Sequence, residues 1–306
     1  MKWNEITLIG PVIKCKVTED AYGNAQAKVV VGVIRGFRNI GDNRDNVKID
    51  RPTIMTRNKD LINKMITWKK NDIVNVVGAI TTRTVNKTSI CPFCKGQNTS
   101  EGLMVYIEPI FVEKLFTMAD DSSSIQYLQT IREISNRARV AGNLCRDPKK
   151  ITIKNGPTVT QYPLAVERKF KIKEDPPTVT TDFPWVKVYG TNALSDRNFL
   201  HISSEVMIDG IVQTRSVNQK TVCKDCAKLY EWKDRVLELV PYETEYVANY
   251  FTEDEAAERE VKRKNERLKA AGLDRFFSSD INNDYDNDDI TEEDIQAGFD
   301  NYDGEE

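Results

Sequence analysis

Four of the six cysteines stand in two Cys-x-x-Cys pairs, Cys91/Cys94 and Cys223/Cys226, 132 residues apart. Such a pair presents two sulfurs from one tight turn, and structural zinc takes four ligands in a tetrahedron. Each pair is therefore half of a site. The predicted completion is a single structural zinc per chain held by Cys91, Cys94, Cys223 and Cys226 together. A site shared between chains, completion by Cys15 or Cys145, and metal-free thiol pairs are the alternatives. His201, the one histidine, falls in a helical segment and is read as a bystander. Thiol–disulfide catalysis is the weaker reading, because the pairs lie in hairpin loops without the helix N-terminus that lowers a thiol pKa.

The pairs belong to a longer repeat. Residues 78–94 read GAITTRTVNKTSICPFC and residues 210–226 read GIVQTRSVNQKTVCKDC. Gly78, Thr82, Arg83, Val85 and Asn86 recur as Gly210, Thr214, Arg215, Val217 and Asn218 with no insertion. Upstream, Gly10 pairs with Gly142, and Asp50-Arg51-Pro52 with Asp182-Phe183-Pro184, at the same offset. The turn Gly23-Asn24-Ala25 and its strand match Gly156-Pro157-Thr158 and its strand at an offset of 133, one slipped residue being what a loop tolerates. The chain is a duplication.

A second group of residues points to nucleic acid. In Phe183-Pro184-Trp185-Val186-Lys187-Val188-Tyr189, strand alternation sets Pro184, Val186 and Val188 on one face. Phe183, Trp185, Lys187 and Tyr189 then share the other face, a stacking platform with a phosphate contact. The alternative is that these aromatics pack beneath another part of the chain. The same strand of the first copy presents Arg51, Thr53, Met55 and Arg57, which is basic rather than aromatic. Arg83 and Arg215 sit at the roots of the two hairpins and are candidate phosphate contacts.

Charge agrees. The formal net charge of −3 hides a split: residues 276–306 hold 12 Asp/Glu and no Lys/Arg, so residues 1–275 carry +9. A basic body with an acidic tail suits a polyanionic partner. There is no apolar run of 18 residues and no signal-peptide pattern, so the chain reads as soluble and cytoplasmic. One histidine and the lack of a Gly-rich phosphate loop leave little for an enzyme.

The elements that must position these residues are short and β-branched: ITLIG, AKVVVGVI, TIM, IVNVVGAITT and MVYIEPIFVEKLF in the first copy. One helix interrupts them from Asn58 to about Trp68, with Leu61/Met65 and Ile62/Ile66 stacked and Asn58 as N-cap. NALSDRNFL fills that slot in the second copy. Three strands, a helix and a two-strand hairpin is the order of an OB-fold, a five-stranded Greek-key barrel. The predicted fold is mainly β, two tandem OB-folds. The expected division is 1–117 and 136–251 for the barrels, 118–135 for a linker, 252–272 for a charged helix and 273–306 for a disordered acidic tail. The linker helix is expected to be capped by Ser123 or Ser124 and to carry Ile125, Leu128 and Ile131. Thr252-x-x-Glu255 is a capping box opening the last helix, whose apolar stripe is Ala257, Val261 and Leu268.

The strands GNAQAKVVVGVIR and GPTVTQYPLAVER, with DFPWVKVYG and GIVQTR, resemble the bacterial and phage single-stranded DNA-binding proteins over most of residues 4–116 and 136–240. The resemblance implies DNA held on the outer barrel face and on the loop between the fourth and fifth strands. It places Phe183, Tyr189, Phe37 and Phe170 where that family sets base-stacking aromatics. It also implies recruitment of replication, recombination or repair proteins by the acidic tail. Here Phe299 and Tyr302 are followed by Asp-Gly-Glu-Glu, a departure from the family's terminal Phe. Val85 and Val217 replace a frequent Trp. The duplication suggests a phage or mobile-element origin. Rival readings are an RNA-binding tandem OB-fold protein and a replication scaffold whose barrels bind protein.

Overall fold

The computed structural model describes residues 3–19, 24–35, 48–151, 158–168 and 179–270. Phe37, Phe170, the turns at Gly23 and Gly156, and the acidic tail lie outside the described residues. The first copy runs β1 (Asn4–Glu19), β2 (Ala25–Val31), β3 (Val33–Ile34), β4 (Ile49–Asp50), β5 (Thr53–Thr56), α1 (Lys59–Met65), β6 (Asp72–Ile90) and β7 (Gln97–Thr117). After α2 (Asp121–Ile131), the second copy runs β8 (Asn136–Leu144), β9 (Lys149–Ile151), β10 (Val159–Glu167), β11 (Thr181–Asp182), β12 (Trp185–Tyr189), α3 (Gly190–Phe199), β13 (Glu205–Val222) and β14 (Leu229–Ala248); α4 (Glu253–Ala270) follows.

In the first copy β1 pairs with β2, β2 with β5, β5 in parallel with β7 at Ile54↔Ile107, β7 with β6, and β6 back with β1. That circuit closes the predicted OB barrel, and closure removes any free sheet edge. Its centre is the alternating apolar set Ile6, Leu8, Val29, Val31, Ile54, Val76, Ile80 and Ile107, all at 0 % exposure. The second copy repeats the neighbour order β8, β10, β12, β14, β13, with β12 and β14 parallel at Val186↔Leu239.

The described chain forms two compact units. One comprises Met1–Gly142, Pro163–Val186 and Met207–Glu243, and the other Asn143–Tyr162, Lys187–Val206 and Thr244–Glu306. Within the first unit the two copies meet strand to strand. β1 and β8 run antiparallel with Asn4↔Val140, Ile6↔Ala138 and Leu8↔Asn136 in register. The repeat offset of 132 converts each of these pairs into another, so the contact is isologous, centred on Ile6 and Ala138. Asn4 and Asn136, both buried, each tie a strand of this ladder to the hairpin of its own copy. Each side-chain amide bonds the backbone in both directions, Asn4 with Ile80 at 3.0 and 2.9 Å and Asn136 with Val212 at 2.9 and 3.1 Å.

The helices arise where expected, with two corrections. Asn58 Oδ1 accepts from the N–H groups of Asp60 and Leu61, as an N-cap does. The helix of 118–135 is capped by Asp120 instead of Ser123 or Ser124: Asp120 Oδ1 accepts from Ser123 N at 2.7 Å, and Ser124 is buried within the helix. A carboxylate at the positive helix end outcompetes a hydroxyl. Leu128 is buried, while Ile125 is 40 % exposed.

The second unit contains α3 and α4. The capping box of α4 forms, with Thr252 N donating to Glu255 Oε2 at 2.8 Å. Its docking face is Ala256, Arg259 and Arg263, and Val261 points away at 59 % exposure. Of the expected stripe, Ala257 and Val261 are exposed, and the Leu268 side chain lies outside the described residues. Arg259 lies 3.8 Å over the Phe251 ring, and Arg263 donates to the carbonyl of Arg197 at 3.2 Å. Cations at the carbonyl end of α3 oppose its dipole, and their stems supply the apolar cover.

Asp196 is the buried carboxylate of this unit, accepting from Tyr162 Oη and Tyr246 Oη at 2.8 Å each. Burial pushes its pKa up to about 6, against the hydrogen bonds from the two phenols. The folded value lies above the unfolded one, so the native state holds the proton more tightly. Stability from this group is full below about pH 4 and is lost as pH rises through about 6, a change on the order of 3 kcal/mol. In urea titrations at pH 4 and pH 7, Asp196→Asn should therefore lose less stability than the parent protein. Equal losses in the two proteins would contradict the buried-proton account.

Candidate functional site

Two equivalent polar latches tie the copies together within the first unit. The Asp182 carboxylate accepts from the backbone N–H and hydroxyl of Thr82 at 2.7 and 3.1 Å, and from the Arg168 guanidinium at 2.6 and 2.9 Å. Asp50 does the same with Thr214 at 2.8 and 3.0 Å and with Arg35 at 3.0 Å twice. Each aspartate thus grips the hairpin root of the opposite copy. The residues following the aspartates are held too, Phe183 N donating to Thr82 Oγ1 and Arg51 N to Thr214 Oγ1, both at 3.0 Å. Two candidate DNA contacts are therefore fixed at the backbone by the other copy's threonine.

The hairpins β6–β7 and β13–β14 carry the cysteines at their tips. In the first, Cys91 N donates to Gly96 O and Lys95 N to Cys91 O; in the second, Cys223 N donates to Lys228 O and Ala227 N to Cys223 O. Lys95 (φ 63°) and Ala227 (φ 56°) both adopt the left-handed conformation that folds each tip into a tight knuckle. The four sulfurs lie within 4.8 Å of one another, Cys91 to Cys226 at 3.7 Å and Cys94 to Cys223 at 3.5 Å. A tetrahedron with Zn–S bonds of about 2.3 Å has sulfur edges of about 3.8 Å, so the donor set fits a soft divalent ion. Cys15 and Cys145 do not join the set: their thiols face the carbonyls of Met65 and Asn143.

The surroundings favour thiolate at Cys223. The backbone N–H of Cys226 and the Asn98 amide hold Cys223 down, at about 6. Asn98 bridges the hairpins, donating to Cys223 Sγ at 3.4 Å and accepting from Lys224 N at 2.8 Å. Its repeat counterpart, Tyr230, bonds Ser89 of the first hairpin at 2.6 Å. Lys87 reaches Asp234 at 2.5 Å. These bonds contribute about 1 kcal/mol each when neutral and somewhat more when charged, against about 10–16 kcal/mol for structural zinc. The metal would dominate the link.

The model of the Single-strand binding protein family matches residues 135–229. A single-stranded DNA-binding protein of Clostridium tetani is 34 % identical over 109 residues, 33 % of this chain and 73 % of the relative. The chain belongs to the single-strand binding protein family. A single-stranded DNA-binding protein 3 of Clostridium acetobutylicum is 35 % identical over 86 residues, 28 % of this chain and 58 % of the relative. Among solved structures, the wild-type single-stranded DNA binding protein of Thermus aquaticus aligns with a TM-score of 0.53 at 15 % identity, over 82 % of this chain and 96 % of that one. A deletion mutant of it gives 0.51 at 16 % identity, over 82 % and 97 %. At that identity the likeness is one of fold.

The family model falls on the second copy, the one with the aromatic strand. There Phe183 is 46 % exposed and Trp185 half-buried, both in the first unit. Tyr189, in the second unit, is half-buried as well. Lys187 departs from expectation. It is 2 % exposed, with its ammonium 5.4 Å from the centre of the Tyr189 ring, because the strand is covered on both faces at this position. Met55 of the first copy is likewise buried at 6 %, leaving Arg51 exposed and Arg57 half-exposed on its strand. Arg83 is half-buried. Arg215 forks onto Glu238 at 2.7 Å twice, so its charge is already paired. The latch aspartates were missed, although Asp50/Asp182, Thr82/Thr214 and Arg35/Arg168 all recur in the repeat.

Proposed function

We propose that this single-strand binding protein family member binds single-stranded DNA without strong sequence preference and protects it, with no catalytic step. The observation that carries the reading is that the family match coincides with the copy bearing exposed Phe183 and half-buried Trp185. Phe183, Trp185 and Tyr189 stack bases, each contact contributing about 1–3 kcal/mol. Arg51, Arg57 and Arg83 of the first copy hold phosphates, with Arg215 and Lys187 secondary because both are already engaged. The two barrels, 1–117 and 136–251, divide the work. The acidic tail, 273–306, recruits replication, recombination or repair proteins in the cytoplasm of a bacterium or phage-infected host. One zinc ion sits on Cys91, Cys94, Cys223 and Cys226, each ligand a thiolate, and fixes the two hairpins against one another.

The division of labour has a direct test in salt-dependent titrations. Trp185→Ala should weaken binding about tenfold or more at every salt concentration, leaving the slope of log K against log salt unchanged. Arg57→Ala should lower that slope by roughly one, because one phosphate contact is lost. The same slope change in both variants would sink the proposal.

A further inference from the structure

The four-cysteine centre draws two sulfurs from each copy's hairpin, so neither hairpin keeps more than half a site. We propose that metal occupancy makes the two hairpins one DNA-binding arm, so that affinity for a strand spanning both copies depends on the metal. The proposal rests on the single-stranded DNA reading given above. Beneath the sulfurs the shared core is small: Cys91, Cys223 and Tyr230, with Cys226 and Trp232 packed against them. Three of those five residues are ligands, so removing the ion strips the tip of most of what organises it. A core of this size does not hold without metal or disulfide. The barrels have their own apolar interiors, and the isologous β1–β8 ladder joins the copies independently of the tips. Loss of metal therefore loosens the hairpin tips, which are left with weaker bonds such as Ser89–Tyr230 and Lys87–Asp234, and leaves the barrels folded.

Coupling follows from linkage of two half-sites. Hairpins held together present both copies' contacts in one arrangement, and the second half of a long strand then binds at a high effective concentration. Loosened hairpin tips must be ordered by the DNA itself, which costs affinity. A strand short enough to occupy one barrel gains nothing from the link. The thiolate set is soft, so Cd2+ or Co2+ should replace Zn2+. The exposed ligand is Cys94, and Cys91 and Cys223 are buried, so a chelator reaches the centre from the Cys94 side.

The test uses the full chain in four forms: as purified, chelated, reconstituted with Cd2+ or Co2+, and Cys94→Ser/Cys226→Ser. The expected results are one metal per chain, thiolate-to-cobalt charge-transfer absorption in the Co2+ form, and barrel melting retained in all four. Labelled oligothymidylates of about 10 and about 32 nucleotides, one site and two at the upper end of the OB range, report binding. Chelation and the double variant should weaken the longer strand at least tenfold and leave the shorter one within about twofold, and Cd2+ should restore the chelated protein. Long-strand affinity indifferent to metal, or a chain that retains none, overturns the proposal and leaves the DNA reading standing. If neither strand binds the metal-loaded protein, the DNA reading fails and takes the proposal with it.

Discussion

Asp182→Ala is expected to destabilise the protein by about 3–5 kcal/mol, the cost of leaving a buried ion without its partner. Both side chains of the pair are shut away, Arg168 at 5 % exposure and Asp182 at 0 %. The substitution takes the carboxylate away from the guanidinium and from two donors of Thr82 as well. Asp50→Ala removes the same set from the other copy, but Arg35 is 23 % exposed and can turn to water. The ordering Asp182→Ala worse than Asp50→Ala should appear in urea unfolding followed by tryptophan fluorescence. Equal effects would mean that burial of the arginine does not govern the cost. Because Phe183 N is held by Thr82, Asp182→Ala should also reduce DNA affinity beyond the loss attributable to unfolded protein.

Gly10→Ala should be comparably severe. A Cβ at Gly10 would stand 1.9 Å from the carbonyl oxygen of Gly32, with Leu128 of α2 at 3.3 Å behind it. The obstacle is backbone, held in place because Gly32 N donates to Pro11 O at 2.9 Å. Relief requires β1 to separate from the turn after β2, and overpacking of that kind costs about 1–3 kcal/mol or more. Gly102→Ala is the control. Its Cβ would meet only the Lys87 stem, at 3.0 Å, a side chain and not backbone, so less than about 1 kcal/mol is expected. Thermal melting of the two variants separates them, and a Gly10→Ala protein that melts with the parent would refute the close approach.

Those two sites show what was and was not legible in the residues. Gly10 recurs as Gly142, and the repeat pointed to it, but only the backbone path shows why no side chain fits. Alternation and capping are local, so the barrel strands, the Asn58 cap and the Thr252/Glu255 box could be read directly. The cysteine quartet was legible because each Cys-x-x-Cys is visibly half of a tetrahedron. What alternation misjudged were positions whose partners are distant in sequence. Arg215 is matched by Glu238 across a hairpin ladder, and Lys187 is covered where period two made it open. The latch joins Asp182 to Thr82, 100 residues away, and no periodicity encodes such a bond. Its signal was the recurrence of a buried acid, an arginine and a threonine in both copies.

The central claim is that this chain holds single-stranded DNA by stacking and phosphate contact. The most direct measurement is titration of the metal-loaded full chain with poly-dT across a salt series, following the tryptophan fluorescence, with duplex DNA and poly-U as competitors. The account predicts quenching that saturates, an affinity that falls linearly with log salt while a salt-resistant part remains, and displacement by neither competitor at equal nucleotide concentration. Absence of quenching, or displacement by duplex as readily as by poly-dT itself, would contradict it; displacement by poly-U would move the substrate to RNA.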